Sequence, residues 1–144
     1  LFSTFYDWQN IGLLIWDKNK IGMGKPVRKR HELIFYANQS FKEFKPHGVF
    51  THLPSVLNFK TDSDKIHGAQ KPVELIKMLI NGFTKENETV LDLFGGSGST
   101  GVSCDETNRN GICFELNNEI AIASEERGNK LQQTRAERLF ENEI

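Results

Sequence analysis

The stretch VLDLFGGSGSTG, residues 90–101, decides how the rest of the chain is read. Thr89 to Leu93 is short and apolar and predicts a buried strand. Gly96, Gly98 and Gly101 follow in G-x-G-x-x-G spacing and open a helix that should run to about Asn108. Downstream, Gly111 to Leu116 reads as another strand, and Asn117 to about Phe140 as a long charged helix loosened at Gly128. Upstream, Pro72 suits a first helical position, and Val73, Leu75, Ile76, Leu79, Ile80 and Phe83 recur at helical spacing until Asn81-Gly82 and the polar run 85–88 end the helix. Strands alternating with helices across short turns predict an α/β, Rossmann-like parallel sheet.

A glycine turn between strand and helix suits a nucleotide-type cofactor. Without a Cβ the backbone turns tightly and a ligand can lie against it, while the helix N-terminus offers N–H groups and positive potential. Glu115, at the end of the next predicted strand, could accept hydrogen bonds from ribose hydroxyls; alternatively it is a solvated strand end. So far NAD and S-adenosylmethionine fit equally. Asp92 separates them, because a carboxylate four residues before Gly96 would repel a pyrophosphate by about 1–4 kcal/mol at a separation of roughly 4 Å. The ammonium and sulfonium of S-adenosylmethionine would be attracted instead. The plainer alternative is that Asp92 caps the turn's own N–H groups.

Working outward, 144 residues with 38% hydrophobic content suffice for one domain. No apolar run approaches the roughly 20 residues that span a bilayer, and residues 1–10 lack a secretory signal, so a soluble, intracellular protein is expected. Cys104 and Cys113 suggest neither zinc nor a disulfide framework and read as reduced and structural. Charge is unevenly spread: residues 1–71 hold 11 Lys/Arg against 6 Asp/Glu, and residues 72–144 hold 7 against 13. A basic face for nucleic acid beside an acidic cofactor half is compatible with that split. Ile11 to Trp16 and Glu32 to Ala37 read as strands joined by a basic loop with Gly22, Gly24 and Pro26. Trp8, Trp16, Phe35 and Tyr36 are assigned to packing. From Asn38 to Gln70 only Val56 to Phe59 suggests a strand. Phe35 stands four residues after His31, so the two-histidine zinc helix cannot form, and no Gly-Lys-Ser/Thr follows the glycines as an NTPase loop requires.

These residues resemble a known family. DLFGGSGSTG is similar to the cofactor motif Asp-x-Phe-x-Gly-Ser-Gly of the amino-methylating DNA methyltransferases, and HGAQKPVELIKMLI to the preceding motif of their permuted β subgroup, commonly His-Pro-Thr-Gln-Lys-Pro before a helix. Gly68-Ala69 replace Pro-Thr, whereas His67, Gln70, Lys71 and Pro72 match. IWDKNKIGMGKPVRKRHELIFYA resembles the family's late-sheet hairpin. The resemblance implies a circularly permuted S-adenosylmethionine methyltransferase fold: hairpin and basic loop in 1–37, a target-recognition insert in 38–66, and a cofactor-binding βαβα half in 67–144. The family's catalytic tetrapeptide, Asp/Asn/Ser-Pro-Pro-Tyr/Phe, is absent, since no two prolines are adjacent. In the permuted order it belongs upstream of Leu1, itself an unusual first residue, and two strands of the sheet should be missing as well, leaving edges unpaired.

The expected activity is methyl transfer from S-adenosylmethionine to an exocyclic amino group in double-stranded DNA, adenine favoured over cytosine. Cofactor contacts are assigned to Asp92, Phe94, Gly95, Gly96, Ser97, Gly98, Ser99, Thr100 and Glu115, with Gln70 and Lys71 near the methionine end; no catalytic residue and no metal site is assigned. Lys18, Lys20, Lys25, Arg28, Lys29 and Arg30 are assigned to DNA phosphates, or else form a solvated loop. A homodimer or a completing segment from another chain, and a bacterial or phage-encoded role in the bacterial cytoplasm, complete the expectation. The rivals are a non-catalytic remnant that binds DNA or a partner, and a NAD-dependent dehydrogenase.

Overall fold

Strand pairing follows the apolar runs closely. The computed structural model describes residues 9–24, 26–38, 54–62 and 68–141, and the chain divides into two compact units, 1–60 and 61–144.

In the first unit, β1 (Gln9–Asp17) lies between β2 (His31–Asn38) and β3 (Val56–Asn58), antiparallel to β2 and parallel to β3. Because successive side chains point to opposite faces, Leu14 and Trp16 fall together and are buried with Leu57, while Ile11, Leu13, Leu33, Phe35 and Val56 are exposed. Trp16 is placed as expected, with its indole Nε1 donating to the Phe59 carbonyl at 2.8 Å. Phe35 is not in the packed interior, because its register partner is the outward Leu13. Gly12 stands opposite Tyr36, and a Cβ there would lie 2.1 Å from the phenol Cζ, so the glycine is what admits the ring.

In the second unit α1 (Val73–Phe83) packs on α2 (Ser99–Glu106), and β4 (Thr89–Asp92) pairs in parallel with β5 (Asn110–Cys113). Leu75, Ile80, Val102 and Cys104 form its interior. Asn81-Gly82 does not end α1: Gly82 is buried and the helix continues to Phe83, tertiary packing having outweighed glycine's cost of roughly 1 kcal/mol. Asn87 and Asn108, both with positive φ, turn the chain into β4 and β5, and Asn87 N–H donates to the Asn108 carbonyl at 2.8 Å. A Cβ on Gly111 would meet Cys104 Cβ at 3.2 Å and Gly101 Cα at 3.5 Å, so two glycines set how closely α2 approaches β5. α3 (Asn118–Glu141) begins where Asn117 Oδ1 accepts from the N–H groups of Glu119 (2.9 Å) and Ile120 (3.2 Å), a cap contributing about 1 kcal/mol. The expected loosening at Gly128 is not observed; the helix is continuous through it. Among the described residues no helix is long and apolar enough to cross a membrane.

Candidate cofactor site

The carboxyl ends of adjacent parallel strands form the place where open α/β sheets bind ligands. Here those ends carry Asp92, the last residue of β4, and the segment Phe114–Glu115 just after β5. β5 stops at Cys113, so Glu115 lies two residues beyond the strand rather than at its end; the backbone pairing nevertheless continues. Phe114 N–H donates to the Asp92 carbonyl (2.8 Å) and Gly95 N–H to the Phe114 carbonyl (2.7 Å), carrying the turn up beside Glu115.

Each glycine has its own reason. Gly95 crosses so near β5 that a Cβ would meet Cys113 Cβ and the Phe114 carbonyl at 3.2 Å. Gly96 and Gly98 take φ of +52° and +75°, and Gly98 N–H closes the turn on the Gly95 carbonyl at 2.9 Å. At Gly98 a Cβ would also lie 2.3 Å from Ser124 Oγ of α3, so part of the pattern expected to admit a ligand admits a helix instead.

Asp92 and Glu115 hold this turn from two sides. Asp92 Oδ1 accepts from Phe94 N–H (2.9 Å) and Oδ2 from the Thr100 hydroxyl (2.6 Å), so it does cap the turn. A carboxylate offers about four acceptor positions, which leaves capacity for a cationic ligand as well. Glu115 Oε2 accepts from Gly96 N–H and Oε1 from Asn117 N–H, both at 2.9 Å. The N-terminus of α2 follows with no side-chain cap, and Phe94 beside it is 89% exposed.

Gln70 and Lys71 are brought to this unit's turn by the backbone: Ser99 Oγ donates to the Lys71 carbonyl at 2.8 Å. Their side chains are engaged locally. Lys71 Nζ donates to the Ala69 carbonyl (3.1 Å), and buried Gln70 donates through Nε2 to Asp62 Oδ2 (3.1 Å). His67 lies outside the described residues. Sequence reasoning missed Arg127 of α3, whose Nη1 donates to the Ser97 carbonyl at 2.9 Å and to Ser99 Oγ at 3.3 Å. In a helix read as uniformly charged, only its i+3 spacing from Ser124 could have marked the inward face.

The cysteines divide. Cys104 is buried and Cys113 exposed as a residue, although the Cys113 sulfur lies against Gly101. Burial pushes both thiols up, and the Asp92 charge raises Cys113 further.

In the first unit the basic loop is partly neutralised. Lys18 pairs with Glu32 at 2.5 Å and lies 5.1 Å from the Trp16 ring centre. Arg30 Nε pairs with Asp17 at 2.7 Å and its Nη2 donates to Asn19 Oδ1 at 3.2 Å. The Arg30 hydrogen bond, helped by Asn19 N–H, holds the Asp17 carboxyl below its usual range, and Asp17 raises Arg30 in turn. Lys20, Arg28 and Lys29 form no salt bridge among the described residues; Lys25 lies outside them.

Residues 52–126, just over half of the chain, match the N6/N4 DNA methylase family, and the chain belongs to that family. It is 37% identical over 106 residues to the type II methyltransferase M.HhaII of Haemophilus parahaemolyticus, an alignment covering 74% of this chain and 46% of the relative. It is 51% identical over 61 residues to the type II methyltransferase M.HindIII of Haemophilus influenzae, covering 42% of this chain and 20% of the relative. The chain thus spans less than half the length of these relatives. Its fold is similar to that in the crystal structure of the M1.HpyAVI–SAM complex, with a TM-score of 0.69 at 24% identity over 81% of this chain and 60% of that one.

Proposed function

We propose that this chain provides the cofactor-binding part of an S-adenosylmethionine-dependent enzyme that methylates an exocyclic amino group in double-stranded DNA, adenine before cytosine. The observation that carries the reading is the pair of carboxylates, Asp92 at the end of β4 and Glu115 two residues beyond the adjacent parallel β5, on either side of a glycine turn and beside an uncapped helix N-terminus. This set fits the cofactor: a carboxylate for its cationic methionine end, another for ribose hydroxyls, helix N–H groups for its carboxylate, and at Gly96 a backbone whose Cβ direction meets nothing nearer than the Phe94 carbonyl at 3.7 Å. Asp92 opposes the pyrophosphate of NAD, which disfavours the dehydrogenase. Bound there, S-adenosylmethionine supplies an electrophilic methyl group. The chain's own residues bind and orient it: Asp92 holds the turn shut through Phe94 and Thr100 while presenting charge, and Glu115 fixes Gly96. In-line transfer further requires that the target base leave the stack.

The resemblance supports a permuted order with the Pro-Pro segment carried on chain outside residues 1–144. Uncovered apolar side chains agree with this, since parallel sheets are normally covered on both faces, and Leu91, Ile112 and Phe114 are about half exposed or more. An extension of this chain, with a partner chain as the alternative, completes the sheet, and the assembled enzyme acts in the bacterial cytoplasm. Lys20, Lys25, Arg28 and Lys29, with Lys18 and Arg30 at the base of the loop, contact DNA phosphates.

The test is transfer of labelled methyl to duplex DNA together with calorimetry of S-adenosylhomocysteine. The 144-residue chain is expected to bind the product without turning over, because alignment of the kind the missing motif provides can lower a barrier by roughly 7–11 kcal/mol. A form extended to include a Pro-Pro motif gains activity, with N6-methyladenine in the digested product, and Asp92→Ala weakens binding at least about tenfold in either form. Turnover by the short chain would refute the assignment of the missing motif. A bound NAD would remove the cofactor reading, unchanged affinity in Asp92→Ala would remove Asp92 from the site, and binding with no turnover in the extended form would leave the non-catalytic remnant.

A further inference from the structure

Arg127 of α3 reaches back to the functional turn, where it holds a backbone carbonyl and a serine hydroxyl. Its Nη1 donates to the Ser97 carbonyl at 2.9 Å and to Ser99 Oγ at 3.3 Å, and its Nη2 lies 3.6 Å from Asp62 Oδ2. The same Asp62 oxygen accepts from Gln70 Nε2 at 3.1 Å. Ser99, through its hydroxyl, donates to the Lys71 carbonyl, and Ser103 one turn later donates to the carbonyls of Ser99 (2.7 Å) and Val73 (3.2 Å). One guanidinium therefore joins four separate stretches of chain around residues 62, 70, 97–99 and 127. Most of the cluster is shielded: Gln70, Ser97, Ser99 and Ser103 are at most 5% exposed, the Arg127 side chain is 16% exposed, and that of Asp62, at its edge, 30%. Shielding matters because a polar network out of water is strong when complete and costly when a member is removed.

In the site already described, Asp92 and Glu115 hold the turn by accepting from its donors, Phe94 N–H, the Thr100 hydroxyl and Gly96 N–H. Arg127 instead donates to the turn, at the carbonyl of Ser97. A peptide held by its carbonyl has its N–H direction fixed as well, since the unit is planar. The peptide in question links Ser97 to Gly98, whose positive φ and close contact with Ser124 leave the turn dependent on α3.

We infer that Arg127, oriented by Asp62, is a positioning residue that sets the glycine turn and the start of α2 for ligand binding. The inference rests on the cofactor reading above. It assigns to α3, and to Asp62 in a segment read from sequence as target recognition, a role in cofactor affinity.

The experiment uses the full chain, with S-adenosylhomocysteine titrations and hydrogen exchange at the amides of 96–100 for wild type, Arg127→Gln, Arg127→Lys and Asp62→Asn. Arg127→Gln should lose roughly tenfold in affinity or more, the scale of a hydrogen bond to a charged group, and the turn amides should exchange faster while those of β4 and β5 do not. Arg127→Lys keeps the charge and one donor, and should recover part of both effects. Asp62→Asn should fall between wild type and Arg127→Gln. A folded Arg127→Gln with wild-type affinity and wild-type turn exchange overturns the inference, as does a variant whose amides all exchange faster together, which marks a merely structural arginine. If Arg127→Gln does not fold, Arg127→Lys and Asp62→Asn decide by the same two readings. A wild-type chain that binds no S-adenosylhomocysteine refutes the cofactor reading instead, and turn exchange then shows separately whether Arg127 orders the turn.

Discussion

The two units spend their polar side chains differently. Around the hairpin of the first, Lys18, Arg30, Asp17 and Glu32 pair at the surface, and the interior is apolar: Leu14, Trp16 and Leu57. Around the glycine turn of the second, Gln70, Ser97, Ser99, Ser103 and Thr107 are buried; the hydroxyls bond to backbone or to one another, and the Gln70 amide donates to Asp62. Surface pairs in high dielectric contribute little each and act through summed charge, whereas a shielded network fixes geometry and fails as a unit. The four charges of the first arrangement cancel in pairs, so the proposed attraction of a polyanion falls to Lys20, Arg28 and Lys29 of the loop. The second suits holding one small molecule in one pose.

The largest effect that can break this comparison is at Gly98. Alanine there meets both an unfavourable φ and Ser124 Oγ, and should cost about 1–3 kcal/mol, lowering the melting temperature by roughly 5–15 °C. Adding Ser124→Gly removes the steric part alone, so the double variant should recover only partly. Full recovery in calorimetric melting would show that backbone strain at Gly98 is unimportant.

An intermediate effect is expected in the basic loop, where contributions should be graded. Replacing Arg28, Lys29 and Arg30 with Ala should weaken cognate and scrambled duplexes alike and flatten the salt dependence by up to about three ion units. Arg30, already paired with Asp17, should account for the least of that when replaced singly. Selective loss of cognate binding would place these side chains at base edges and make the loop resemble the turn more than the comparison allows.

The smallest effect concerns the Asp17–Arg30 pair. Its folded carboxyl lies below the usual range, held there chiefly by the Arg30 hydrogen bond, so its contribution is present above the unfolded value and is lost as pH falls through the folded one. The melting difference between wild type and Asp17→Asn should therefore shrink below about pH 4. A difference that stays constant down to pH 2 would mean that ionisation is not what the aspartate contributes.

Much of this molecule is legible without coordinates because its signals are local. Apolar runs placed β1 and β2, periodicity after Pro72 placed α1, and strand, glycines and helix in succession placed the turn, all within a residue or two of the observed bounds. Boundaries erred where tertiary contacts overrode local chemistry, as at Gly82 inside α1, at Gly128 inside α3, and after Cys113, where pairing continues beyond the strand. Asp92 reads from sequence either as a charge facing a cofactor or as a cap on the turn, and the structure shows the cap, with Phe94 N–H and the Thr100 hydroxyl converging on it.

The order of elements, the glycine turn and Asp92 beside it were legible in the sequence, since each depends on residues within a few positions of one another, whereas Glu115 meets Gly96 only because β4 and β5 pair. Only the tertiary structure decided which glycine serves a helix, which loop cations are already paired, and that Arg127 and Asp62 meet at the turn. Those outcomes depend on contacts across as many as 65 residues, between Asp62 and Arg127. Such contacts form because burying a carbonyl, a hydroxyl or an amide requires a partner, and nothing local to Arg127 says which partner that will be.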